Sequence, residues 1–87
     1  MDTFMVERSL KGISQKDLGA AQLTAIKTAS EMSRNGTPIL YVRSTFVPET
    51  GACMCLFEAE SAASVKALNE KAKLPFDRIV KAMDLTP

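Results

Sequence analysis

Histidine is absent from the 87-residue sequence. Its absence excludes His-based catalytic triads, imidazole metal ligands and the usual proton shuttle at neutral pH. Glycine is also scarce: the four glycines are isolated and form neither a GxGxxG nor a GxxxxGK[ST] motif. The sequence therefore gives no support for nucleotide binding, and any catalysis would need a base other than histidine.

The sequence also lacks an excess of either charge, because eleven basic and ten acidic residues give a formal net charge of +1. The basic residues are scattered rather than clustered, so nucleic acid is not an expected partner. The first residues carry charges where a secretory signal would be apolar, and no apolar run approaches the length of a membrane span. We therefore expect a cytoplasmic protein without a membrane partner.

The composition, 46% hydrophobic and 24% charged, is typical of a folded domain. At this length residues 1–87 are expected to form one domain with a modest core. Alternating apolar residues, helix caps and turn residues divide the chain into six elements. The predicted order is a strand at 4–8, a helix from 14 to about 35, strands at 39–47 and 53–59, a helix from 61 to about 74, and a strand at 78–85.

Strand, helix, strand, strand, helix, strand is the order of the ferredoxin-like βαββαβ sandwich, an α+β fold with a four-stranded antiparallel sheet. Right-handed crossovers place both helices on one face of that sheet. The strand at 53–59 is apolar on both faces, so its outward face also needs a cover. We expect a homodimer that forms through this outer face, with a pocket between or beside the two sheets.

Within Ile39–Val47 the period of two separates Leu40, Val42 and Phe46 from Tyr41 and Arg43. This alternation predicts that the first set faces the core and that the second set belongs to a polar face.

Cys53 and Cys55 are the most distinctive pair in the sequence. Two residues apart on a strand, they point to the same face with their Cα atoms about 6.6 Å apart, so free thiols are expected rather than a disulfide. Two thiolates could hold a soft cation such as Ni²⁺, Cu⁺ or Zn²⁺, although the pair is only half of a four-ligand site. The alternative is that both cysteines pack in the core, as free cysteines often do.

Glu7, Tyr41 and Arg43 are the candidate ligand-binding residues, since a carboxylate, a phenol and a guanidinium on neighbouring strands could orient a small polar molecule. The alternative is a plain ion pair between Glu7 and Arg43. Arg8 ends its strand and is interpreted as a solvated charge.

The sequence resembles a family of small bacterial domains of unknown function that includes a nickel-binding protein of ferredoxin-like fold. The resemblance rests on residues 4–8 (FMVER), 41–49 (YVRSTFVPE), 53–59 (CMCLFEA) and 74–79 (LPFDRI). It implies a dimeric α+β sandwich and nickel, or another soft transition metal, as a cofactor. Only Cys53, Cys55 and Glu7 carry over as candidate metal ligands, and the missing histidine departs from common nickel sites.

Three functional hypotheses follow. The leading one is a binding protein without catalytic activity that holds a small ligand or a soft metal ion on the outer sheet face of the dimer. The second is a small cofactor-free isomerase or monooxygenase that uses Glu7 or Tyr41 as acid or base. The third is a purely structural dimerisation or interaction module.

Overall fold

A computed structural model describes all residues, 1–87, and has the predicted βαββαβ order. The elements are β1 (Asp2–Ser9), α1 (Gln15–Arg34), β2 (Ile39–Val47), β3 (Ala52–Ala59), α2 (Ala62–Ala72) and β4 (Arg78–Ala82). The four strands form one antiparallel sheet in the order β2-β3-β1-β4. The ferredoxin-like α+β prediction is confirmed, and no helix is long and apolar enough to span a bilayer.

Both helices begin at the serines that the sequence indicated as caps. Ser14 accepts a hydrogen bond from the Asp17 amide at 3.1 Å, and Ser61 accepts one from the Ser64 amide at 3.3 Å. These bonds satisfy amides that the first turn of a helix leaves without a partner. The end of α1 also follows the sequence, because Gly36 adopts a positive φ of 95° directly after the Asn35 cap.

The core lies between the helices and one face of the sheet. From the sheet it takes alternate residues, including Val6 and Phe57, and from the helices it takes Ala29, Val65 and Leu68. Phe57 and Leu68 are fully buried, so this layer supplies most of the hydrophobic stabilisation. Alanines on α1 allow the helix to approach the sheet closely.

The face assignment predicted for β2 is correct for Phe46, which packs against the core, but it is wrong for Leu40 and Tyr41 because the strand contains a β-bulge. Tyr41 pairs with Phe57 and Arg43 with Leu56, so Val42 is an extra residue without a partner on β3. An extra residue reverses the alternation of one half of the strand relative to the other half. As a result Tyr41 faces the helices, whereas Leu40, predicted to be core, is 54% exposed.

The turn between β2 and β3 holds the loop that follows β1. Gly51 has a φ of 82°, and its carbonyl accepts a hydrogen bond from the Leu10 amide at 2.7 Å. A Cβ atom at Gly51 would overlap the backbone of Lys11. Glycine is therefore required both for the backbone angle and for the close approach of the two loops.

Candidate functional site

A row of polar side chains crosses the helix-facing side of the sheet. Arg8 on β1 donates from Nε to the Cys55 sulfur on β3 at 3.4 Å, and the Ser44 hydroxyl on β2 donates to the same sulfur at 2.9 Å. The Tyr41 hydroxyl lies 2.6 Å from Ser44 Oγ, and Gln22 of α1 donates to the Tyr41 hydroxyl at 3.0 Å. We call these five residues the polar row.

The directions of the hydrogen bonds in the polar row follow from the number of available hydrogens. A hydroxyl carries one hydrogen. Because Ser44 donates its hydrogen to Cys55, the hydrogen between Tyr41 and Ser44 comes from Tyr41. The hydrogen bonds therefore run from Gln22 through Tyr41 and Ser44 to Cys55. The Cys55 sulfur also accepts the hydrogen bond from Arg8, which lies on its other side.

The β-bulge creates this arrangement. In a regular strand, residues three apart point to opposite faces. The extra residue Val42 brings Tyr41 and Ser44 onto the same face, opposite Phe57 and Cys55 respectively. The ring of Tyr41 then packs edge-on against Phe57, with ring centroids 5.5 Å apart. This aromatic contact fixes the position of the phenol.

The polar row borders a cavity of about 350 Å³ between the sheet and the first half of α1. Its walls are mostly apolar, from Leu10, Ile13, Leu18, Ala21 and Leu74. The volume lies near the lower end of the range, roughly 300–1,000 Å³, of cavities that hold small molecules. We call this space the α1 cavity.

Arg8 is the charged group of the α1 cavity. It is only 5% exposed, so its interpretation as a solvated strand-end charge is wrong. Its Nη1 atom donates to the Pro75 carbonyl at 3.0 Å, but Nη2 is buried and has no hydrogen-bond partner. A guanidinium removed from water without a counter-charge is costly in free energy.

Cys53 and Cys55 also face the α1 cavity. They are buried free thiols with their sulfur atoms 3.9 Å apart. Burial raises the pKa of the Cys53 thiol to about 11, and the neighbouring Cys55 adds to this rise while Arg8 opposes it. Cys53 is therefore a neutral thiol at physiological pH.

The raised pKa of Cys53 predicts a loss of stability in alkali. A folded-state pKa near 11 against an ordinary value of 9.0 means that the unfolded chain loses its proton first. The free energy of unfolding should then be unaffected below pH 9 and fall as the pH rises from about 9 to about 11. Urea unfolding should show a smaller fall for Cys53→Ala than for the wild type; equal falls would contradict the assignment.

Glu7 and Arg43 lie on the outer face and are not part of the polar row. Glu7 accepts a hydrogen bond from Arg78 Nε at 2.6 Å, and Arg43 pairs with Asp84. The predicted alternative, an ion pair between Glu7 and Arg43, is therefore wrong. The five candidate site residues do not share one face: Tyr41, Cys53 and Cys55 face the helices instead.

Residues 4–81 match the model of a protein family described as nickel responsive protein SCO4226-like. The chain belongs to this family. The fold of this SCO4226-like chain is also similar to the crystal structure of SCO4226 from Streptomyces coelicolor A3(2), with a TM-score of 0.80 and 22% sequence identity. That similarity covers 97% of this chain and 99% of the other and concerns the fold alone. No curated protein matches the chain.

The family description raises the question of whether this SCO4226-like chain has the ligands for nickel. Within residues 1–87 no group of three His, Cys, Asp or Glu side chains is placed to hold a metal ion. Cys53 and Cys55 supply two sulfur donors, and the guanidinium of Arg8 lies beside one of them. Two sulfur donors leave a four-ligand site incomplete and the adjacent positive charge opposes a cation, so one chain alone does not provide a complete nickel site.

Sequence reasoning missed Arg8, Ser44 and Gln22 as site residues. A signal for Arg8 was present, because Phe4, Val6 and Arg8 alternate and so share one face of β1. A signal for Ser44 was also present, because it shares one face of β2 with Phe46, whereas the presence of Tyr41 on that same face depends on the bulge. Gln22 follows Ala21 on α1 and reaches the sheet only through the inward phenol of Tyr41.

Proposed function

We propose that this domain is a binding protein without catalytic activity that holds a small, largely apolar molecule in the α1 cavity. The observation that carries the proposal is the cavity itself, which has apolar walls and a polar row along one side. Such a combination of apolar surface and few polar groups is typical of small-molecule sites. The leading hypothesis from the sequence is kept, but its ligand is moved from the outer face to the helix-facing side of the sheet.

A neutral fluorescent probe tests this proposal without involving charge. N-phenyl-1-naphthylamine, which brightens in apolar surroundings, should bind the wild type saturably at one site per chain. Ala21→Phe places a ring in the α1 cavity and should weaken binding about tenfold or more.

Ala20→Phe is the matched control, because Ala20 is the exposed neighbour of Ala21 on the same helix and does not line the cavity. It should bind the probe as the wild type does. If both variants, or neither, lost the probe, its binding site would lie elsewhere and the proposal would fail.

A soft metal ion is the second candidate ligand, because the family that matches this chain is described as nickel responsive. Cys53 and Cys55 are the proposed ligands, with further donors supplied from outside the chain. A nickel titration of chelator-treated protein, followed by mass spectrometry under native conditions, addresses this candidate. Uptake in the wild type that is lost in Cys55→Ser would support it, and identical uptake by both proteins would remove these two residues as ligands.

Homodimer formation through the outer sheet face also stays a proposal. It is supported by the apolar centre of that face, where Met5 and Leu56 pair across β1 and β3. Light scattering coupled to size exclusion measures the mass directly. A monomer at micromolar concentration would contradict the proposed dimer but leave the α1 cavity as it is.

A further inference from the structure

We infer that the natural ligand of the α1 cavity is a monocarboxylic acid with an apolar body, and that Arg8 binds its carboxylate. This inference rests on the proposed function and adds the chemical class of the ligand. Four observations carry it: the missing counter-charge, the free donor atom, the composition of the walls, and the single positive charge.

No counter-charge for Arg8 exists within the chain. The four ion pairs join Arg43 to Asp84, Lys71 to Glu31, Arg78 to Glu7, and Lys81 to Asp2. Arg8 belongs to none of them, although only 5% of its surface is exposed. Native proteins rarely bury a charge without a partner, so an external anion is the natural complement.

Arg8 also has a donor atom to offer that anion. Nε and Nη1 of Arg8 are occupied by Cys55 and the Pro75 carbonyl, which fix the plane of the guanidinium. Nη2 carries two N–H groups and has no acceptor. Arg8 borders the α1 cavity, but Nη2 itself has almost no accessible surface. The atoms that cover Nη2 must therefore shift slightly before a carboxylate bound in the cavity accepts its hydrogen bond.

The walls of the α1 cavity determine the remaining chemistry. Arg8 is the only charged residue among those that line it. One guanidinium balances one negative charge, whereas a phosphate dianion would leave a second negative charge unpaired in apolar surroundings. A planar carboxylate matches the guanidinium fork, and the apolar walls accept a hydrocarbon or aromatic body.

Three eight-carbon probes that differ only in their polar end test the inference. At pH 7 octanoate is an anion, octanol is neutral and octylammonium is a cation. In wild-type protein octanoate should bind about tenfold or more tightly than octanol, because a hydrogen bond to a charged group adds affinity, and octylammonium should bind weakest. Octanoate should also shift the Arg8 Nε–H signal in the ¹⁵N–¹H NMR spectrum.

Arg8→Met should remove the preference, so that octanoate binds no better than octanol. Arg78→Met is the matched control, since Arg78 pairs with Glu7 on the outer face, and it should keep the wild-type ratio. Equal binding of octanoate and octanol to the wild type, or an unchanged ratio in Arg8→Met, would overturn the inference.

The neutral naphthylamine probe separates this failure from a failure of the proposed function. If the probe binds the α1 cavity but octanoate shows no advantage, the cavity binds small molecules and only the carboxylate assignment is wrong. If neither the probe nor octanoate binds, both proposals fail together.

Discussion

Gly51→Ala is expected to lower the free energy of unfolding by about 3 kcal/mol, the largest loss that we predict for a single methyl group in this domain. Two effects add: an L-residue at a φ of 82° is strained, and the new Cβ atom overlaps the backbone of Lys11. Backbone cannot move aside as a flexible side chain can. For a domain whose total stability is about 5–15 kcal/mol, this is a large fraction.

The change should also weaken binding in the α1 cavity. The Gly51 carbonyl holds the Leu10 amide, and both Leu10 and Ile13 form part of the cavity wall. When the two loops are forced apart, the wall moves with them. Urea unfolding gives the stability, and titration with the naphthylamine probe gives the affinity of the same variant.

Gly36→Ala separates the two contributions. Gly36 has a similar φ of 95°, but its added Cβ would meet no atom within 4 Å. Its loss should therefore be about 1 kcal/mol and should not affect ligand binding. If the two variants lost equal stability, the overlap with Lys11 would have no role.

Arg8→Met is expected to act in the opposite direction and raise the free energy of unfolding of the ligand-free protein by about 1–2 kcal/mol. Methionine keeps much of the apolar stem of arginine but removes a buried charge with an unsatisfied Nη2 atom. The exposed variant Arg78→Met should change stability by no more than about 0.5 kcal/mol. A loss above about 1 kcal/mol in Arg8→Met would show that the folded chain itself stabilises this charge.

Ligand addition should reverse the order of the two proteins. At a free octanoate concentration of 100 times Kd, linkage stabilises the wild type by about 2.7 kcal/mol. Arg8→Met should gain much less at the same concentration. Thermal unfolding with and without octanoate measures both effects, and the pair of results would identify Arg8 as a residue kept for binding at a cost in stability.

The sequence predicted the fold better than the site because the two depend on different signals. The caps Ser14 and Ser61 and the stop at Gly36 are local features that act through their own backbone, and all three are confirmed. The strands follow from apolar runs bounded by turn residues, and β2 also from its density of β-branched and aromatic residues. The last strand ends at Ala82 rather than at residue 85, since only 78–82 pair with β1.

The site depends instead on long-range pairing. The face of Tyr41 follows from the register between β2 and β3, and Val42 has no property that identifies it as the extra residue. For Arg8 the alternation with Phe4 and Val6 was available, but a charge at the end of a strand is usually solvated. Its environment includes Leu74 and Pro75, which are distant in sequence: both line the cavity, and the Pro75 carbonyl accepts a hydrogen bond from Arg8.

The extra residue in β2 has a consequence for comparing relatives of this domain. If Val42 were paired with β3 as in a regular strand, Tyr41 and Ser44 would lie on opposite faces of the sheet. If the extra residue instead came after Ser44, the same letters would turn Arg43 inward and Ser44 outward. A sequence alignment through this strand therefore compares equivalent side chains only among relatives whose bulge is at the same position. A shift of the bulge changes which side chains line the cavity even when no residue is substituted.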